Sequence, residues 1–457
     1  MCIRDSLVAE GSWDFFDEDN NPNLDSDGKK VDSHGTYLAA VLGASGWNGI
    51  GFRGVAPDVS LKGFRVKSDT SLSLLSEYMA AGNSLIARDV DIFNMSYGTN
   101  STNITNLHSG REQGFWQNAS LNNGKKVFIR AAGNGFKAIP VAGGQKQCPL
   151  AFANNLPCEI TTLDPIADHP VMINVSAMAP NGKASEFSTH GAANWITAPD
   201  GAYVASNHCW HNPAANCRKA EYFWGSSVAA SMVSGVVALM LQAQPDLTWR
   251  DVKNILARTA RPIDQGNQQR RPPVSINGVL VEPGWITNKA GLKFHNAYGF
   301  GLVDAAAAVE MAETYQIGQL GEFNKDKYPK LASGNLALSL QPNTLYQNTI
   351  NQSSNGVVEA VRVKLYVKSN HISDLSVALV SPSGTRSVLL SPFNAIEGIT
   401  GDYMDLSSNA FYGEAIQGDW TIEVYDHLQD ASAQGRQNSS ASVTRLSNWS
   451  LKLYGRD

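Results

Sequence analysis

The sequence has no stretch that reads as a membrane span: its most apolar run, Gly235 to Leu241, falls far short of the roughly 20 residues a span needs. It has no basic tract longer than Lys29-Lys30 or Arg270-Arg271, and 36 Lys plus Arg stand against 41 Asp plus Glu, a net charge of −5. Nothing is therefore available to track a phosphate backbone, and nucleic acid is excluded as a partner. Charge is scarce at 17% against 43% hydrophobic residues, which is too apolar for a disordered chain. Five cysteines are too few for a disulfide scaffold. The opening Met1-Cys-Ile-Arg-Asp-Ser6 has neither the charged nor the apolar region of a signal peptide. Either a signal has been removed or the chain begins within a longer gene, and the second is the expectation.

What is present is length, glycine and alternation. At 457 residues with 40 Gly, the chain has room for two or three cores of a loop-rich α/β or β protein. Residues 14 to 27 hold six acids among Asn and Pro and read as a loop. Short apolar runs then alternate with helical patterns, including Val90 to Met95, Lys126 to Ala131 and Val171 to Val175. That order predicts βαβ units and a doubly wound parallel sheet. Ser227 to Ala243 is apolar nearly all round, as a helix buried mid-domain would be, and Thr248 is a candidate cap for the amphipathic stretch behind it. After about residue 315 the pattern changes. A linker is expected over residues 316–334, and residues 335–457 carry strand alternation, as in Val361 to Val367, Leu375 to Val380, Ser387 to Leu390, Trp420 to Tyr425 and Trp449 to Tyr454. Turns between them, such as Ser381-Pro-Ser-Gly384, predict an all-β sandwich.

Three segments carry chemistry together that none carries alone: Asp32-Ser-His-Gly-Thr36, Ala131-Ala-Gly-Asn-Gly135 and Gly225-Ser-Ser-Val-Ala-Ala230. A serine at a helix N-terminus exposes its hydroxyl where its own N–H and the positive end of the helix dipole can meet a developing oxyanion. Compact residues at Val228, Ala229 and Ala230 let that helix bury closely behind it, and an Asn between glycines offers a second donor. A histidine opening another helix could act as general base.

With these segments the sequence resembles the subtilisin-like serine proteases, in particular their kexin and furin branch. His34-Gly-Thr36, Gly133-Asn134 and Gly225-Ser-Ser227 match that family's motifs in order, as do Asn48 to Pro57, Asn94-Met-Ser-Tyr-Gly98 and Tyr298 to Asp304. The C-terminal part is similar to the branch's P domain through Asp374-Leu375, Ser381 to Thr385, Phe411 to Glu414, Gly418-Asp-Trp420 and Asn448 to Leu451. The resemblance implies a subtilisin-like catalytic domain over residues 1–315, incomplete at its N-terminus, and a jelly-roll sandwich behind it. It implies Ser227 as nucleophile, His34 as general base, Asn134 as oxyanion donor and Ser96, Tyr97 and Gly98 as substrate-binding segment. The family's aspartate belongs well upstream of Ser12, so the chain is expected to lack it; Asp5 is too close, and Asp32 reads as a loop carboxylate.

The resemblance also implies structural calcium, with Asp14, Asp19 and Asn21 as one ligand set and Asn48 with the carbonyls of Ile50 and Phe52 as another. The acids that give the kexin branch its dibasic preference have no counterpart after Gly98, where Thr99-Asn100-Ser101 follows, so strict dibasic cleavage is not expected. Asp164 and Asp168 are the other acids in reach, and the long stretch from Phe136 to His169 is expected to reshape the cleft. With Cys2 set aside, local clustering favours Cys148 with Cys158 and Cys209 with Cys217, although four cysteines permit three connectivities. Disulfides imply an oxidising compartment, secreted, periplasmic or at the cell surface. The reading is a serine endopeptidase acting on protein or peptide substrates, made with a propeptide. The alternatives are a catalytically inactive pseudoprotease that binds protein or glycan, and a sugar-binding sandwich; Trp420 and Trp449 sit at strand positions better suited to a core than to a sugar platform.

Overall fold

The computed structural model describes residues 11–15, 17–22, 34–48, 52–66, 79–98, 109–120, 124–141, 144–205, 220–266, 269–369, 371–396, 403–427 and 444–457. Its first part is built on four parallel strands in sequence order, β1 (Ile92–Met95), β2 (Val127–Ala131), β3 (Met172–Met178) and β4 (Asn194–Pro199). Their near-continuous apolar character follows from burial on both faces. Among the described residues, helices α1 (His34–Gly43), α2 (Ser109–Ser120), α3 (Ser226–Ala243), α4 (Trp249–Thr259) and α5 (Ala305–Glu313) frame them. Helix α3 packs across all four strands, so its small residues Ala229, Ala230 and Val233 are fully buried. By length and composition α3 could cross a membrane, but most of its surface is covered by the rest of the protein, which makes it a core helix. Thr248 caps α4 as expected, its hydroxyl accepting from the Asp251 N–H while the Asp251 carboxylate accepts from the Thr248 N–H. An antiparallel hairpin, β5 (Gly201–Ala205) with β6 (Ala220–Trp224), leads into α3.

The second part is two antiparallel sheets around one core. One holds β7 (Leu345–Gln352), β9 (Leu375–Val380), β10 (Arg386–Leu390) and β12 (Gly418–Asp426); the other holds β8 (Val357–Lys368), β11 (Tyr403–Ser408) and β13 (Thr444–Arg456). Trp420 and Trp449 are fully buried between the sheets, which rules them out as a sugar platform. Leu331–Ala332 pairs with β13, so the sandwich starts inside the segment 316–334 expected as a linker; two residues of ladder are enough to draw it into the sheet.

The two parts share an interface of aromatic packing and buried polar contacts. Tyr412 stands edge-on to Trp195 at 5.2 Å and Tyr454 packs on Trp116 at 5.3 Å, while Asn409 Nδ2 donates to the Ala193 carbonyl at 2.8 Å. Arg250 of α4 makes a two-pronged pair with Glu359 of β8, at 2.8 and 2.6 Å. Arg362, three residues on, donates to Asp168 at 2.9 Å and to Glu112 at 2.5 Å. Burial works against the charge of the Arg362 guanidinium, but Asp168, Glu112 and Asp405 outweigh it and its pKa rises. Asp168, one of the acids in reach of the cleft by sequence, is thus committed to this interface instead.

Candidate active site

Gly225 turns the chain from β6 into α3 with φ of +137°, a conformation that side chains rarely adopt. The turn sets Ser227 in the first turn of the helix, 8% exposed at the mouth of a cleft. As the helix's second residue Ser227 has no carbonyl four positions back in the helix to receive its N–H. The Ser227 hydroxyl lies 3.2 Å from His34 Nε2, the first residue of α1, and 3.2 Å from the Ser96 carbonyl. In return the Ser96 hydroxyl donates to the Ser227 carbonyl at 3.0 Å, and Ser231 donates to the same carbonyl at 3.1 Å. The His34 ring meets Phe223 of β6 edge-on at 5.7 Å, and Tyr37 anchors α1 to β6 through Glu221 at 2.6 Å.

Asn134 follows β2. Its Oδ1 accepts from the Ser226 N–H at 3.0 Å and from the Ser226 hydroxyl at 2.9 Å, so the amide nitrogen must point the other way. A Cβ placed on Gly225 would sit 3.5 Å from Asn134 Nδ2 and 3.8 Å from the Ser227 nitrogen. Glycine there leaves open the space on which the two donors converge. Ser226 also accepts from the Gly133 N–H at 3.2 Å and fixes the amide's orientation. This positioning role of Ser226 has only one sequence signal, adjacency to Ser227. Asn134→Leu is expected to lower kcat by about 10²- to 10³-fold with little change in KM, measured on a fluorogenic peptide.

The cleft has a volume of ≈ 250 Å³ and brings together His34, Ser227 and Asn134 with Ser96, Tyr97 and Gly98. The long segment after Phe136 forms one wall, supplying Pro140, Glu159, Ile160, Thr161 and Asp164. Its fold is pinned by a disulfide between Cys148 and Cys158. Cys2, Cys209 and Cys217 lie outside the described residues, as do Asp5, Asp32 and Ile50. Glu159 accepts from the Thr189 hydroxyl at 2.8 Å, and burial, opposed by that bond, raises its pKa to about 7. The native state therefore keeps the Glu159 proton between about pH 4.5 and 7 while the unfolded chain has lost it, so raising pH through that window costs stability. Glu159→Gln removes that titration, and its stability relative to wild type is expected to grow across the window by about 1–3 kcal/mol, read by denaturant unfolding at several pH values.

The first calcium set departs from expectation. Residues Trp13–Asp14 form a short strand parallel to Phe64–Arg65, which brings the Arg65 guanidinium onto Asp14 at 2.6 Å and Asp17 at 2.6 Å. The other Asp14 oxygen accepts from the Asp17 N–H at 3.2 Å, and Asp19 accepts from the Asn21 N–H at 2.8 Å. A guanidinium thus already supplies the positive charge at Asp14, which engages one of its carboxylate oxygens. Among the described residues no three His, Cys, Asp or Glu side chains gather as a metal site. Of the second set, Asn48 and Phe52 lie on the loop after α1.

Residues 3–301 match the family model described as subtilase family, and residues 358–453 match the one described as proprotein convertase P-domain. The Aeromonas extracellular serine protease of Aeromonas sobria is 30% identical over 490 residues, covering 93% of this chain and 77% of that protein. Proprotein convertase subtilisin/kexin type 6 of Homo sapiens is 28% identical over 97% of this chain, which spans 42% of that protein. The crystal structure of the serine protease of Aeromonas sobria superposes with a TM-score of 0.81 at 28% identity, covering 99% of this chain and 86% of that one.

Proposed function

The chain belongs to the subtilase family and carries a proprotein convertase P-domain, and from that footing we propose that it is a secreted serine endopeptidase using Ser227 as nucleophile, His34 as base and Asn134 in its oxyanion hole. The observation that carries this reading is the 3.2 Å approach of His34 Nε2 to the Ser227 hydroxyl. With a peptide carbonyl in the cleft, Ser227 Oγ attacks the carbonyl carbon as His34 Nε2 takes the hydroxyl proton. The carbonyl oxygen becomes an oxyanion held by Asn134 Nδ2–H and the Ser227 N–H, donors that need no reorganisation as charge develops. His34 returns the proton to the amine as the C–N bond breaks, leaving an ester on Ser227. Water then attacks the ester carbon as His34 takes its proton; the bond from that carbon to Ser227 Oγ breaks, His34 returns the proton to Ser227 Oγ, and the acid leaves.

The proposed division is a catalytic body up to about residue 315 and a P domain from Leu331 to Asp457. The secreted location agrees with the extracellular relative from Aeromonas sobria and with the Cys148–Cys158 disulfide. A propeptide in the precursor belongs to the same reading. Structural calcium belongs to the same reading, with Asn48 on the loop after α1 as a candidate ligand. Chelation is expected to lower Tm by several degrees, and an unchanged Tm removes calcium from the account.

The test of the function is hydrolysis of fluorogenic peptides by the purified protein. A sulfonyl fluoride should abolish it and a thiol-alkylating reagent should not. Turnover that resists the sulfonyl fluoride, or no turnover, contradicts the proposal.

A further inference from the structure

The cleft wall facing Gly98 holds a buried ion pair that the reaction itself does not use. Asp164 Oδ2 accepts from Arg130 Nη2 at 2.7 Å, with side-chain exposures of 17% for the acid and 1% for the base. The other carboxylate oxygen accepts from the Ile166 N–H at 2.9 Å and the Ala167 N–H at 3.1 Å. Both oxygens are thus already engaged. The pair borders the cleft directly, since a Cβ on Gly98 would lie 3.6 Å from Asp164 Oδ2 and 3.8 Å from Arg130 Nη2. Arg130 is the fourth residue of β2, and its guanidinium also lies 5.6 Å from the Tyr97 ring centre.

A lysine or arginine side chain entering beside Ser227 would find Asp164 neutralised. To use that acid it would have to displace a guanidinium that has no route to water, and breaking a buried pair leaves an uncompensated charge. Among the described residues the other acid of the cleft, Glu159, already receives the Thr189 hydroxyl, and burial pushes it toward its neutral form. The rest of the nearby wall is backbone and small or apolar side chains, Ala131, Ala132 and Ile160 among them.

We propose that Arg130 is a specificity-determining residue: by occupying Asp164 from behind the cleft wall, it makes the pocket beside Ser227 accept an uncharged side chain on the residue whose carbonyl is attacked and reject lysine and arginine there. The inference rests on the serine-protease reading and adds the substrate class to it.

The experiment compares kcat/KM for peptide amides that differ only at that residue, with the intact protein. Wild type should favour leucine over arginine by about 10-fold or more. Arg130→Met frees Asp164 and should raise the arginine-to-leucine ratio by about 10- to 100-fold. Should that variant fail to fold, Asp164→Asn reads the same pair from its other side: it leaves the guanidinium unpaired and should raise the glutamate-to-glutamine ratio by about 10-fold. A wild-type preference for arginine, an unmoved ratio in folded Arg130→Met, or an unmoved ratio in Asp164→Asn overturns the inference. Labelling of Ser227 by a fluorophosphonate is run beside it. A labelled enzyme that prefers arginine sinks this inference alone, whereas no labelling sinks the protease reading and this inference with it.

Discussion

Ser227→Ala is expected to lower kcat on peptide substrates by a factor on the order of 10⁶ where the family's aspartate completes the triad, the figure known for the equivalent change in subtilisin, and by far less where that aspartate is absent. The size follows from what the hydroxyl does. Without it no acyl-enzyme forms, and the proton that His34 is placed to accept at 3.2 Å does not exist. KM should change little, because the walls of the cleft and the Ser96 to Gly98 segment remain. His34→Ala should cost nearly as much, and the double variant no more than either alone, since the two act as one unit. A residual rate of about 10³- to 10⁴-fold over water should survive, supplied by Asn134 and the Ser227 N–H. Costs that add instead of saturating would show that the two residues act separately, and would remove the hydrogen bond between them from the mechanism.

Arg362→Met is expected to destabilise the protein by about 3–5 kcal/mol, the cost of stranding a buried charge. Asp168 has no exposed side-chain surface, and Arg362 is its ion-pair partner across the interface, while the same guanidinium reaches Glu112 on α2. Removing it leaves two acids of the catalytic part facing a methionine on the sandwich. Methionine fills much of the volume, so the loss isolates charge from packing. Asp168→Asn on top of Arg362→Met should recover part of the stability, a coupling that a double-mutant cycle measures directly. The exposed pair Lys325–Asp326 is the control: Lys325→Met should change stability by less than about 1 kcal/mol. A similar small effect for Arg362→Met would mean that its ion pairs contribute little to holding the two parts together.

The chemistry was legible because each reacting residue sits in a segment whose neighbours are constrained by close packing. Glycine at 225 and small residues at 228 to 230 mark a helix start pressed into the sheet. What stayed hidden depends on partners distant in sequence. The Ser226 bond to Asn134 spans 92 residues, the Arg130 bond to Asp164 spans 34, and Arg362 meets Asp168 across 194. Arg130 did carry one signal, a lone guanidinium in an otherwise apolar strand, which burial permits only with a partner. The acidic run at residues 14–19 looked like a metal loop because nothing local shows that Arg65, 51 residues on, pairs with Asp14. In the sandwich, strands with strong alternation were readable, among them Leu375–Val380. Leu345–Gln352 was not, because only Ile350 and Gln352 of that edge strand are fully buried and most of the others are polar.

Peptide mapping of a fluorophosphonate adduct tests the central claim most directly. A single phosphonylated site is expected at Ser227 in the native protein, lost on denaturation and in His34→Ala, because only a hydroxyl with a base 3.2 Å away and two donors for the developing oxyanion reacts fast. An adduct on another serine, or labelling of Ser227 undiminished in His34→Ala, would contradict it.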